Sequence, residues 1–238
     1  MDNSKIAHHI SENFNKELED IRNSVLTMGG LVESQIEQAV KALASGDMEL
    51  AELVIKQDNQ IDELEMTIDA ECTQIIALRQ PAAFDLRLLL TVLRIINELE
   101  RVGDLAERIA KTAIYLSNNS EGRTDQYYEL QHMSGLVRDM LHRALDSFAR
   151  MSVDNITDIT GSDEHVDREY ASIIRQLITQ MMEDPRNITR SLDMLWTVRA
   201  LERIGDHSRY ICEHLIYMIK GEDVRHLTQA ELELKMNG

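Results

Sequence analysis

The sequence is poor in residues that interrupt helices and in residues that form disulfides. Its 238 residues include 2 prolines, 10 glycines and 2 cysteines, and aromatic side chains make up only 4%. Few chain breakers favour long amphipathic helices over a sheet protein that is rich in turns. Cys72 and Cys212 each lie within an apolar-periodic stretch, so we expect two buried, reduced thiols rather than a disulfide framework.

Long apolar runs and positive charge are also scarce. No stretch approaches the roughly 18 uninterrupted apolar residues of a membrane span, and residues 1–10 lack the apolar centre of a signal peptide. Because 42 acidic residues oppose 25 basic ones, the net charge is −17, which disfavours contact with nucleic acid and anionic lipid. We therefore expect a soluble, cytoplasmic protein. Its acidity either attracts cations and basic partners or only keeps the protein in solution.

The chain contains an internal repeat. The segment MGGLV at 28–32 recurs 105 residues later as MSGLV at 133–137, and LERVGD at 99–104 recurs 102 residues later as LERIGD at 201–206. The only two prolines also occupy matching places. Several ordered matches of this kind indicate a duplicated unit with short insertions or deletions.

Each copy has the periodicity of three helices. In the first copy, apolar residues at steps of three and four predict helices that end near Ser45, near Arg79 and near Asn119. The polar stretch 117–125 is the best candidate for a linker, and we expect three further helices after it. The predicted fold class is therefore all-α, with two tandem, pseudo-symmetric three-helix bundles. The predicted domains are residues 1–118 and 121–220, followed by a C-terminal tail at 221–238 that is either irregular or a short helix.

Each copy also carries two pairs of acidic residues that are four positions apart. Such residues lie on one face of a helix, where like charges destabilise it by a few tenths of a kcal/mol unless something neutralises them. If the second and third helices of a copy lie antiparallel, the two pairs meet and present about four carboxylates to one point. Divalent or iron-type metal ions suit such oxygen ligands. The eight candidate ligands are Asp58, Asp62, Glu100 and Asp104 in the first copy, and Asp163, Asp167, Glu202 and Asp206 in the second.

Neighbouring arginines offer an alternative explanation for these acids. Residues such as Arg101, Arg108, Arg203 and Arg209 could neutralise the carboxylates in ion-pair networks, each pair contributing about 0–1 kcal/mol. His207 could add an imidazole ligand in the second copy, although capping or a surface role is the more common use of such a residue. The sequence leaves both alternatives open.

Gly103 and Gly205 lie inside the predicted third helix of each copy. Glycine at such a position costs about 1 kcal/mol relative to alanine. We expect a close approach of another part of the chain to compensate, or else a ligand beside the acids.

Four motifs together resemble the PhoU family, and the resemblance spans nearly the whole chain. They are LERVGD at 99–104, LERIGDH at 201–207, RQPAAFDLR at 79–87 and GEDVRH at 221–226. The resemblance implies two similar three-helix bundles, metal sites at the eight acids named above, and a homodimer. It also implies a non-enzymatic adaptor that keeps the phosphate-starvation (Pho) response off and modulates phosphate uptake. Its implied partners are the ATPase of the phosphate ABC transporter (PstB-type) and a sensor histidine kinase (PhoR-type), so that any membrane association runs through those partners.

The two copies depart from the family pattern in different ways. The segment after Pro185 does not repeat the DLR motif that follows Pro81, so the two metal sites need not be equivalent. Glu213 is a peripheral contributor at most. A metal-dependent enzyme, or a metal store that uses the clustered carboxylates, is the alternative function.

Overall fold

The computed structural model describes residues 12–119 and 127–237, and all regular structure in these two ranges is helical. A single turn of 3-10 helix, Pro185–Asn187, lies between the sixth and seventh α-helices. The α-helices are α1 (Glu12–Ser45), α2 (Met48–Arg79), α3 (Ala83–Asn119), α4 (Tyr127–Arg150), α5 (Ile156–Gly161), α6 (Asp163–Glu183), α7 (Ile188–Lys220) and α8 (Gln229–Asn237).

The first bundle consists of α1, α2 and α3, and its helices end where the sequence predicts. Asp47 caps the start of α2, because its side chain accepts a hydrogen bond from the backbone N–H of Leu50 at 3.0 Å. Gln80 ends α2 in the left-handed region with φ of 48°. The connection to α3 is so short that the two helices must run antiparallel, as the acidic pairs require.

The second bundle consists of α4, α7 and a middle helix that is interrupted. Ser162 separates α5 from α6, although its own φ and ψ of −66° and −20° are near those of a helix. Residues 151–155, ahead of α5, are not helical, whereas only two residues separate α1 from α2. The prediction of three further helices is correct for α4 and α7 and incomplete for the middle helix. The interruption places Asp163 at the first residue of α6.

The C-terminal tail ends in a helix. Gly221 terminates α7 with φ of 75°, and an irregular segment then leads to α8. Leu232 of α8 is buried, and Gln229 Nε2 donates a hydrogen bond to the carbonyl of Thr157 in α5 at 3.0 Å. Of the two alternatives predicted for the tail, a short helix is correct.

The two bundles share one continuous hydrophobic core. Buried aliphatic residues of both copies form a single cluster, in which α3 lies along α7 and α1 lies along α4. Cys72 and Cys212 are buried and unpaired, as predicted, and burial raises the pKa of each thiol to about 12. The predicted domain limits stay a prediction, since residues 1–11 and most of the 117–125 linker lie outside the described ranges.

No helix within residues 12–119 and 127–237 combines the length and the apolar character that crossing a membrane requires.

Candidate functional site

In the first bundle, acidic residues of α2 and α3 converge. Carboxylate oxygens of Asp58, Asp104 and Glu107 all lie within 4.8 Å of one another. We call this group the first site. Asp62 and Glu100 lie outside this tight group, at its edge, where their charges still act on it. The expectation that the acidic pairs of helices two and three meet is therefore confirmed in this copy for one member of each pair.

The carboxylates of the first site repel one another. Burial raises the pKa of Asp58 above its usual value, the hydrogen bond from Gln35 opposes the shift, and the charges of Glu107, Asp62 and Asp104 add to it. Burial and neighbouring carboxylates likewise raise the pKa of Asp104 and of Glu100. A cation bound among these oxygens would relieve the repulsion.

A buried glutamine adds a further oxygen beside Asp58. Gln35 of α1 is only 1% exposed, and its Nε2 donates a hydrogen bond to Asp58 Oδ1 at 2.9 Å. Its Oε1 is buried and has no hydrogen-bond partner. A buried acceptor without a partner costs about 1–3 kcal/mol, so this oxygen is available to a cation.

Gly103 provides the space in which these groups meet. A Cβ atom at this position would lie 3.0 Å from Asp58 Oδ1 and 3.3 Å from Gln35 Oε1, which is closer than most real contacts of a Cβ atom. The close approach predicted for the glycine is confirmed here. A Cβ atom at Gly205 would meet its nearest neighbours at an ordinary 3.5 Å, so the prediction is weaker for the second copy.

Lys111 forms an ion pair with Glu107 of the first site. Lys111 Nζ lies 2.5 Å from Glu107 Oε2, one helical turn further along α3, and the lysine side chain is 56% exposed. An exposed pair of this kind contributes little to stability.

In the second bundle, the acids surround an arginine. Arg209 Nη1 lies 2.8 Å from Glu213 Oε1, and its Nε lies 3.2 Å from Asp163 Oδ2. Its Nη2 lies 3.8 Å from Asp206 Oδ1. We call these four residues the second site. Ion pairing with arginine, the alternative explanation that the sequence left open, is confirmed in this copy.

The second site is also more enclosed than the first. A cavity of about 240 Å³ adjoins it, lined by Asp163, Asp167, Arg209 and Glu213 and walled on the other side by the segment 224–232 of the tail. Burial raises the pKa of Asp163 to about 6, although the charge of Arg209 opposes the shift. The site therefore combines a partly buried carboxylate with an arginine held among acids.

Glu202 pairs with a different arginine. Arg199 Nη1 donates a hydrogen bond to Glu202 Oε1 at 2.7 Å, so a second arginine binds the first acid of the pair. Burial raises the pKa of Glu202, and the charge of Asp206 raises it further. Glu202 and Asp206, the two predicted ligands in α7, thus each have an arginine within ion-pair distance.

His207 contacts α3. It is 3% exposed, and its Nδ1 lies 2.6 Å from Glu98 Oε2 in α3. The capping or surface role considered from the sequence is therefore wrong, and the ligand role stays a prediction. Although burial opposes the shift, the hydrogen bond from His207 and the nearby His214 lower the pKa of Glu98 to about 2. This contact joins α3 to α7.

Sequence reasoning missed Gln35 and Glu107, and it undervalued Arg209 and Glu213. Glu107 lies three residues beyond Asp104 on the same helical face, so the spacing could have identified it. Gln35 carries no such signal, because its role depends on how α1 packs against α2.

Comparison with known proteins shows close similarity along the whole chain. The profile of the PhoU domain matches residues 25–113 and, again, residues 130–215. The phosphate-specific transport system accessory protein PhoU homolog of Pseudomonas aeruginosa is 47% identical over 98% of this chain and 96% of its own length. The phosphate-specific transport system accessory protein PhoU of Escherichia coli K12 is 44% identical over 100% of this chain and 98% of its own length.

Solved structures agree with the sequence comparison. The crystal structure of PhoU from Pseudomonas aeruginosa superimposes with a TM-score of 0.83 at 47% identity, covering 88% of this chain and 100% of that one. The phosphate transport system regulatory protein PhoU from Streptococcus pneumoniae superimposes with a TM-score of 0.81 at 32% identity, covering 89% and 99%. The all-α fold of two tandem three-helix bundles is thereby confirmed.

Proposed function

Because this chain belongs to the PhoU family, we propose that it is an accessory, regulatory protein of a phosphate-specific transport system. The observation that carries the proposal is the identity of 47% over 98% of the chain with a relative of that name. The relatives are named as accessory or regulatory proteins, which supports an adaptor without catalytic activity of its own.

The proposed adaptor works in the cytoplasm as a homodimer and represses the phosphate-starvation response when phosphate is plentiful. Its proposed partners are the PstB-type ATPase of the transporter and the PhoR-type sensor kinase, which also bring it to the membrane. The strongly acidic composition supports partners that present basic surfaces.

We further propose that the first site holds a metal ion. Asp58, Asp104 and Glu107 supply three carboxylate oxygens within 4.8 Å of one another, and Gln35 Oε1 is a buried oxygen without a partner. This set of donors fits a hard divalent cation such as Mg²⁺ or Mn²⁺, or iron. When bound, the ion neutralises the mutual repulsion of the carboxylates and fastens α2 to α3.

The regulatory role is tested in cells that lack the endogenous protein and carry a phosphate-starvation reporter. The wild type is expected to restore repression in high phosphate, and it should retain both the ATPase and the kinase in a pulldown. A variant with Glu100, Asp104, Glu202 and Asp206 changed to Ala is expected to lose repression. A variant with the exposed acids Glu63 and Asp69 changed to Ala is the control.

Two results separate the parts of the proposal. Failure of the wild type to restore repression or to bind either partner would contradict the adaptor role. Full repression and binding by the fourfold variant would remove the acidic residues from the mechanism and leave the adaptor role intact.

A further inference from the structure

We propose that Arg209 takes, in the second site, the place that a metal ion takes in the first, so that the chain has one metal site and one internal ion-pair site. The inference rests on the metal role proposed above for the first site. It concerns the residues by which the two copies differ.

Each copy has an ion pair at the matching place in its last long helix, but the acidic and the basic residue are exchanged. At the offset of 102 residues that aligns the LERVGD and LERIGD motifs, Glu107 matches Arg209 and Lys111 matches Glu213. Both pairs are one helical turn apart and in contact, at 2.5 Å in α3 and 2.8 Å in α7. In the first copy the anion of the pair faces the other carboxylates, whereas in the second copy the cation does.

The reversal changes what each site can bind. In the first site Glu107 completes a cluster of three carboxylates. In the second site the guanidinium of Arg209 lies within 3.8 Å of three carboxylates, so positive charge already occupies their centre. A divalent cation placed there would meet the guanidinium and would have to displace it, leaving the arginine partly buried without a partner.

The surroundings of the two sites also favour a metal ion in the first site over the second. At the offset of 105 residues that aligns the first helices, Gln35 matches Met140, which is buried and offers no amide oxygen. The segment 224–232 of the tail covers the second site, while Asp104 of the first site is exposed. The first site therefore has both the additional oxygen and the opening that an entering ion needs.

The test exchanges the two polarities while keeping each ion pair and the net charge. E107R/K111E gives the first site the pair found in the second, and R209E/E213K gives the second site the pair found in the first. Mn²⁺ bound per chain is measured by equilibrium dialysis with elemental analysis, and by titration calorimetry. D146R/R150D, which reverses an exposed pair at the end of α4, is the control.

We expect wild type and control to bind the same amount of Mn²⁺, E107R/K111E to bind at most a tenth as much, and R209E/E213K to bind more than the wild type. Wild-type uptake that survives E107R/K111E but is lost in D163N/D206N would overturn the inference. So would uptake by R209E/E213K that merely equals the wild type.

A wild type that binds no Mn²⁺ would refute the metal role of the first site and would leave Arg209 to be judged by R209E/E213K alone. Uptake of Mn²⁺ by that variant supports the inference, and the absence of uptake overturns it.

Variants that fail to fold are recognised by circular dichroism. In that event R209Q and E107Q replace them, and in EDTA we expect R209Q to lower the melting temperature and E107Q to raise it. A reversed order overturns the inference.

Discussion

Glu98 is a buried charged residue at the contact between the two bundles. Its carboxylate contacts His207 at 2.6 Å and His214 at 3.8 Å, and all three side chains are at most 12% exposed. Burial raises the pKa of Glu98, but the hydrogen bond from His207 and the nearby His214 outweigh it and lower the pKa from 4.5 to about 2. A carboxylate whose pKa is lower in the folded state stabilises the protein wherever it is ionised.

We expect E98Q to lower the free energy of unfolding by about 2 kcal/mol at pH 7. Because the folded pKa lies below the unfolded one, the difference from the wild type should be complete above pH 4.5 and should shrink as the pH falls towards 2. Urea unfolding between pH 8 and pH 3 measures it, with E63Q at an exposed position as the control. A difference that stays constant across this range would contradict the role of the charge.

The two helix glycines should respond differently to alanine. At Gly103 the new methyl group would press on Asp58 and Gln35, which are buried and hydrogen-bonded to each other, so we expect G103A to destabilise the protein by about 1 kcal/mol. At Gly205 the nearest atoms are 3.5 Å away, so we expect G205A to be neutral or to stabilise by up to about 1 kcal/mol. Thermal unfolding measures the stability of both variants. Equal changes in stability would contradict the difference in packing around the two glycines.

Some residues of the two sites could be recognised from the sequence, and others only from the structure. Repetition identified Asp58 and Asp104, because a shared spacing in two copies is visible in one sequence. The roles of Gln35 and Glu98 depend on which helix of the bundle lies opposite, and no local pattern encodes that packing. Arg209 was visible as an arginine beside acids, but its position at their centre follows only from the structure.

At the scale of the helix, α8 is the least expected element. Its alternation of Glu and Leu resembles a strand pattern, yet the helix buries Leu232 and leaves Leu234 76% exposed. The hydrogen bond from Gln229 to Thr157 fixes it against α5. The tail therefore forms one wall of the second site rather than a free extension.

We expect L232S to detach α8 from α5, because the substitution removes the buried apolar contact of a short helix. Amide hydrogen exchange in α5 should become about tenfold faster. L234S, which changes an exposed leucine two positions away, should leave exchange in α5 unchanged. Equal exchange in both variants would show that the packing of α8 does not depend on Leu232.

The helices of the first bundle could be predicted more fully than those of the second. Their ends are marked by strong local signals, such as Asp47 at the start of α2 and Gln80-Pro81 after its end. The interruption at Ser162 has a weaker marker, because Gly161 precedes it and Asp163 follows it but no proline accompanies it. The packing of α3 along α7 joins positions about a hundred residues apart, which periodicity alone cannot pair.

At the scale of the whole molecule, the chain combines two similar bundles with dissimilar acidic sites. One continuous core connects them, so a change in how α2 meets α3 can reach the second bundle through α7. If the first site binds metal as proposed, its carboxylates depend on an ion from solution, whereas those of the second site already have the charge of Arg209 beside them.

Metal should stabilise the wild type in a manner that depends on pH. At a hundred times its dissociation constant, Mn²⁺ should add about 2.7 kcal/mol to the free energy of unfolding, relative to EDTA. The pKa values of Asp58 and Asp104 are raised, so protons compete with the metal at higher pH than for ordinary carboxylates, and the stabilisation should diminish as the pH is lowered. Thermal unfolding measures this, and D58N/D104N should show no metal effect at any pH.

The position of bound metal tests the central claim most directly. Crystals soaked in Mn²⁺ would be measured at a wavelength where manganese scatters anomalously, and an anomalous difference map would be calculated for the whole chain. We expect density beside Asp58, Asp104 and Glu107, and none between Asp163 and Arg209. Peaks of equal height at both sites, or a peak at the second site alone, would contradict the account.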